Sequence, residues 1–163
     1  MRTIPKGSIK GKNAYLLQVI DLRFNKLTSL SDDFRSTTLP YITNMDVSYN
    51  CFSEVPTQPL NSANLRAFAI NHQRDANDNR CLRTWPTGIT SCPSLIQFQI
   101  GSNDIRKVEE KLTYHLYIVN IKDNPNISID VTSVCPYIKA GAYRLFYDKT
   151  QDIRGCDALD LEN

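Results

Sequence analysis

The chain has 163 residues, 41% hydrophobic and 22% charged, with a formal net charge of +2: an ordinary globular composition, long enough for one domain. Lys and Arg are dispersed without a basic run, which argues against a nucleic-acid partner. No apolar run of about 18 residues reads as a membrane span, and no apolar signal segment follows Met1.

The first patterned stretch is LQVIDLRFNKLTSL, with Leu17, Ile20, Leu22, Leu27 and Leu30 at intervals that suit neither an amphipathic helix nor a fully alternating strand. Period two survives only around Ile20 and Leu22, so the spacing predicts one short strand followed by a turn. A polar amide, Asn25, sits inside this apolar row. Upstream, MRTIP fits the end of a preceding copy, with Met1 and Ile4 at the places of Leu27 and Leu30. On this basis the chain reads as a piece of a longer repeat protein, or as one that begins at an internal start.

The pattern recurs. Ile42, Met45, Val47, Asn50, Phe52 and Val55 form a second copy; Leu95, Phe98, Ile100, Asn103, Ile105 and Val108 a fourth; Leu116, Val119, Ile121 and Asn124 a fifth, with Ile127 one residue late. The third begins with Leu65, Phe68 and Ile70, has Gln73 where asparagine belongs, and carries about seven extra residues around RDANDNR before Leu82, Trp85 and Pro86. First positions are 25, 23, 30 and 21 residues apart, and without the insertion the 30 becomes roughly 23.

In its fullest form, L-x-x-L-x-L-x-x-N-x-L-x-x-L-P, the pattern resembles the leucine-rich repeat family over most of the chain. The resemblance implies an α/β, right-handed solenoid (horseshoe), with a short parallel concave sheet and a convex side of loops and short helical turns. One domain over 1–163 divides into a partial repeat 1–16, repeats 17–41, 42–64, 65–94, 95–115 and 116–137, and a C-terminal cap and tail 138–163. A last strand is expected at AYRLFYD, with its register off the pattern. Asn25, Asn50, Asn103 and Asn124 are read as structural: a short amide supplies both donor and acceptor to backbone that loses water at the turn.

Five cysteines without a C-x-x-C pair give no zinc site. Cys92 and Cys135 read as small buried residues, and a Cys135–Cys156 disulfide is the alternative for the latter. Asp75, Asn77 and Asn79 follow the first, third and fifth places of a calcium loop, but Arg80 replaces its glycine and Pro86 its glutamate, so a solvated mobile loop is the favoured reading. His72 and His115 belong to no catalytic motif, and nothing implies a cofactor. Asn126-Ile127-Ser128 is a formal glycosylation sequon.

If Ile20 and Leu22 point inward, stacking lines up outward columns. One holds Asp21, Asp46, Ala69, Gln99 and Asn120; another Phe24, Tyr49, His72, Ser102 and Asp123; a third Arg23, Ser48, Asn71, Gly101 and Lys122. Asp21, Arg23, Phe24, Asp46, Tyr49, His72, Gln99 and Lys122 are the candidate binding residues, with lateral packing along the sheet as the competing explanation. The expected function is non-enzymatic recognition of a protein or glycan through the concave sheet. The alternatives are an architectural spacer, or the recognition arm of an enzyme or effector whose catalytic domain lies elsewhere. The wording of SLIQFQIGSNDI and DNPNISIDVTSVCPYI is similar to bacterial leucine-rich-repeat proteins of exported or surface-attached type, which implies an extracellular or cell-surface location.

Overall fold

The structure, a computed structural model, describes residues 2–160 apart from 10 and 12, so the place read for Met1 and the end of the tail lie outside the described residues. In chain order the strands are β1 (Val19–Asp21), β2 (Asn44–Asp46), β3 (Ala67–Ala69), β4 (Gln97–Gln99), β5 (Lys107–Val108), β6 (Ile118–Asn120) and β7 (Ser128–Asp130). A short helix α1 (Cys135–Lys139), β8 (Arg144–Phe146) and β9 (Asp152–Arg154) follow. Strands β1, β2, β3, β4, β6 and β8 lie side by side in one parallel sheet, and β5, β7 and β9 make a second. This is the solenoid of stacked coils that the resemblance to leucine-rich repeats implies.

Three-residue strands suffice because each coil has only one inward position per strand. Register aligns Ile20, Met45, Phe68, Phe98, Val119 and Leu145 across the sheet. Met45, Phe68, Phe98 and Val119 are buried, whereas Ile20 and Leu145, in the two outer strands, are half-buried. The Phe68 and Phe98 rings run nearly parallel with centroids 6.2 Å apart, and Trp85 meets Phe98 edge-on at 5.2 Å. Burying each such side chain contributes about 1.5–3 kcal/mol, and only stacking of coils makes that burial available.

The amides form the expected ladder. Asn50 Nδ2 donates to the carbonyls of Leu22 and Val47, both at 2.9 Å, while its Oδ1 accepts Leu27 N–H at 3.0 Å. Asn103 and Asn124 repeat the arrangement and are fully buried. Gln73, which departs from the pattern, takes the same post: its Nε2 donates to Val47 and Asn71 carbonyls and its Oε1 accepts Phe52 N–H at 3.0 Å. The last coil closes with another glutamine, Gln151, whose Nε2 donates to the Ile121 and Asn124 carbonyls. Asn25 differs from its reading. It donates to Leu22 and Arg23 carbonyls but is exposed, because among the described residues no coil stacks on the outer side of β1.

The second sheet has a local cause. Val108, Ile129 and Ile153 share one register, and their neighbours Glu109, Asp130 and Arg154 all carry a backbone N–H. The corresponding places in earlier coils are Val55-Pro56 and Trp85-Pro86, where proline lacks that donor. Convex pairing therefore develops only where the prolines stop. Elsewhere the return path uses 3₁₀ turns, as at Asp32–Phe34 and Ile89–Ser91.

Two expectations are revised here. The solvated mobile loop expected at RDANDNR is solvated at its exposed tip, but it is fastened as a hairpin by an antiparallel bridge between Arg74 and Arg80. Asp75 Oδ1 accepts from Asn77 N–H and Asn79 N–H, and its Oδ2 from the Asn79 amide, so this carboxylate organises the turn. At its base the Arg74 guanidinium donates to Ser102 O and that of Arg80 to Asn103 O, both at 2.6 Å, fixing the hairpin to the next coil. Second, the strand expected at AYRLFYD is present as β8, and although its apolar spacing departs from the pattern, it pairs with β6 in the same parallel register as the other strands.

The Cys135–Cys156 disulfide ties α1 to the segment beyond β9, while Cys51, Cys81 and Cys92 are free. Cys92 is buried, which pushes its thiol up to about 11. Gly155 has φ 88°, and a Cβ there would sit 2.0 Å from Thr132 Oγ1, so the chain passes the β7 turn with no room for a side chain.

Asn50→Ala leaves Leu27 N–H unpaired in the core and takes one of two side-chain donors from each of the Leu22 and Val47 carbonyls, which keep Asn25 Nδ2 and Gln73 Nε2; it should cost about 2 kcal/mol, seen as a midpoint roughly 4–8 °C lower. Asn25→Ala, at an exposed amide, should cost less than about 1 kcal/mol in the same melting experiment. Replacing Cys135 and Cys156 together by alanine opens a loop of 21 residues and should remove about 3 kcal/mol in denaturant titration.

Candidate recognition surface

Strands β1, β2, β3, β4 and β6 each leave the sheet through one residue in the left-handed region, directly before the ladder amide. Phe24, Tyr49, His72, Ser102 and Asp123 have φ between 54° and 58°. Bulky residues avoid this conformation, at about 1–2 kcal/mol each. Here the amide that follows holds the turn shut by bonding back to carbonyls two and three residues earlier, as Asn50 does to Ser48 and Val47.

The left-handed turn swings these side chains into one file. Phe24 and Tyr49 rings stack with centroids 4.4 Å apart and planes 17° from parallel; Tyr49 and His72 follow at 4.7 Å and 31°. Phe24 is 70% and Tyr49 43% exposed, so the stack buries ring faces and offers ring edges to solvent. The Arg23 guanidinium lies 5.9 Å over Phe24. Past His72 the file turns polar, and Arg80 from the hairpin grips Asp123 through both its carbonyl and its carboxylate, the latter at 2.6 Å.

Beside the rings, Arg23 Nε and Nη2 donate to Asp21 at 3.0 and 2.7 Å, and Asp46 lies 3.7 Å from the same guanidinium. The Arg23 hydrogen bonds hold the Asp21 carboxyl down at about 2. Two carboxylates thus share one arginine at the sheet surface. Ala67 and Ala69 provide no bulk at the next strand, leaving a hollow of about 330 Å³ between Asp46 and Gln99. Gln99 Oε1 accepts from Asn71 Nδ2 at 3.2 Å, and Asn71 Oδ1 accepts Gly101 N–H at 2.7 Å, so the far wall is a braced amide network. A Cβ at Gly101 would press on Lys122 O, Asn71 Oδ1 and Asn120 Oδ1 at 3.2–3.4 Å.

Of the candidate residues, Asp21, Arg23, Phe24, Asp46, Tyr49 and His72 are gathered at the first three coils. Gln99 belongs to the hollow beside them. Lys122 does not join the cluster: it is exposed farther along the face, two coils beyond His72. Of the hollow's two small residues, Ala69 belongs to a sequence column and Ala67 to none, and what they form depends on larger neighbours. Among the described residues no group of three or more His, Cys, Asp or Glu could hold a metal.

The chain is similar over its entire length to a leucine-rich repeat protein from Bacteroides thetaiotaomicron, with 74% identity and a TM-score of 0.96. A leucine-rich repeat protein from Bacteroides eggerthii is 66% identical over 99% of the chain, with a TM-score of 0.93. The chain belongs to the bacterial leucine-rich repeat proteins. It covers 20% and 27% of the lengths of those two solved chains. No protein-family model and no curated protein matches it. In this leucine-rich repeat chain the amide ladder is architectural, and the ring file with the hollow beside it is the exposed feature of the sheet face.

His72 has its pKa lowered below 6.5, first by burial and then by Arg74. The folded chain thus favours the neutral ring, so this stabilisation is complete above the unfolded value near 6.5 and is lost as pH falls through the lower folded value. His72→Phe keeps a ring in the stack and removes the titration. Between about pH 7.5 and 5.5 the melting midpoint of the variant should fall less than that of the parent, and equal falls would contradict this account.

Proposed function

We propose that this leucine-rich repeat chain is a protein-recognition module whose concave sheet, flanked by the Phe24–Tyr49–His72 file, receives the partner. The observation that carries the reading is the stacked, solvent-facing ring file held in left-handed backbone beside a concave hollow. Aromatic anchors with arginine and carboxylate neighbours are the composition of interface hot spots. Strained backbone at five successive coils also favours a functional reason for bulky residues at three of them.

Protein is favoured over glycan by ring geometry. A sugar stacks on an open aromatic face, but Tyr49 is covered on both faces and the outer face of Phe24 is shared with the Arg23 guanidinium at 5.9 Å, so the file offers mainly edges, which suit aliphatic side chains and carbonyl oxygens. An extracellular or cell-surface setting is supported by the Cys135–Cys156 disulfide, since such bonds persist in oxidising compartments. Among the described residues no helix is long and apolar enough to cross a membrane.

A photo-crosslinking residue at Gln99 should capture a protein partner that the same residue at the convex Thr87 does not. Phe24→Ala with Tyr49→Ala should then weaken that partner about tenfold or more, some 1.4 kcal/mol, with a melting midpoint close to the parent's. Undiminished affinity in the double variant would support the spacer reading instead.

A further inference from the structure

Between the hairpin at 74–80 and the turns of the first two coils lies a groove of about 560 Å³, separate from the concave hollow. Tyr49 and His72 form one wall, so the ring file continues into it. Its charged lining is Arg2, Lys26, Arg74 and Asp75: three cations against one carboxylate.

That carboxylate keeps its charge, its hydrogen bonds being to the neutral amides of Asn77 and Asn79. Three cations still exceed it in number. Among the described residues Arg2 and Lys26 make no ion pair, and Arg74 has one, to Asp78 at 3.9 Å. Asp78 is 88% exposed while the Arg74 side chain is 12% exposed, so the partner's charge is screened by water and the guanidinium remains poorly compensated. The guanidinium's other contacts, Gln73 O and Ser102 O, are neutral carbonyls. Ring edges carry positive partial charge and add to the same field.

We propose that this groove binds a short carboxylate-rich segment of the partner protein, with Lys26 and Arg2 at its mouth and Arg74 at its base. The inference rests on the protein-recognition reading. A long polyanion fits less well: the whole chain carries only +2, and Asp21 and Asp46 occupy the adjoining face. A few acidic side chains, one beside an aromatic ring of its own, match three cations and a ring wall.

The test uses the full chain and a fluorescein-labelled heptapeptide in which two glutamates flank a tyrosine, read by fluorescence anisotropy. Saturable binding is expected, weakening about tenfold when both glutamates become glutamine and about as much in the Arg2→Glu, Lys26→Glu variant, with a marked loss at high salt. Both replaced side chains are exposed, so the variant should melt like the parent. Amide shifts in nuclear magnetic resonance should fall on Lys26, Thr28 and Ala76.

Equal binding of the glutamine peptide, no binding of the glutamate peptide, or tighter binding of an oligothymidylate would each overturn the proposal. Loss of peptide binding with intact sensitivity of the crosslinked partner to the Phe24 and Tyr49 replacements would remove the groove assignment and leave the recognition reading standing. Peptide binding that depends on Lys26, beside a partner indifferent to the rings, would do the reverse.

Discussion

The hydrogen bonds of one amide side chain per coil are the constraint on which this solenoid depends. Leaving the strand obliges the chain to turn into the core, where its peptide groups lose water and an unpaired one costs about 1–3 kcal/mol. Asn50, Gln73, Asn103, Asn124 and Gln151 meet that demand by donating across to the preceding coil as well as back along their own or an adjoining turn. The ladder is thus a fastening between coils as much as a turn device. That a longer glutamine can replace asparagine shows that the requirement is for an amide at the right depth.

The same turn sets up the surface. Because the amide holds the residue before it in the left-handed region, whatever side chain occupies that place is thrust out at the rim, once per coil. Strand spacing of about 4.8 Å then nearly matches aromatic contact distance, and three successive rings stack at 4.4 and 4.7 Å. Strain and stacking come from one geometry: the cost of the left-handed backbone is offset inside the coil, and the exposed result is available for recognition.

Local departures from the repeat are as informative as its regularity. Prolines at 56 and 86 forbid a second ladder over the early coils, and their absence later allows β5, β7 and β9 to pair. The insertion in the third coil adds no strand to either sheet. Its two arginines reach onward to carbonyls of the following coils, and this places a charged wall next to the rings.

By itself the sequence determined the coil: which residues face inward, where each strand starts, where an amide must stand and which side chains share a column. These follow from spacing, because each coil repeats the same short-range geometry. It also placed the last strand and raised the Cys135–Cys156 pairing. Tertiary structure decided the rest. Asn25 has the motif of a buried amide yet is exposed, since burial needs a coil on both sides. RDANDNR has the composition of a solvated loop yet is fastened, since Arg74 and Arg80 meet acceptors 28 and 43 residues away. The groove and the hollow arise from differences in side-chain size and charge between neighbouring coils, and a one-coil pattern carries no record of those differences.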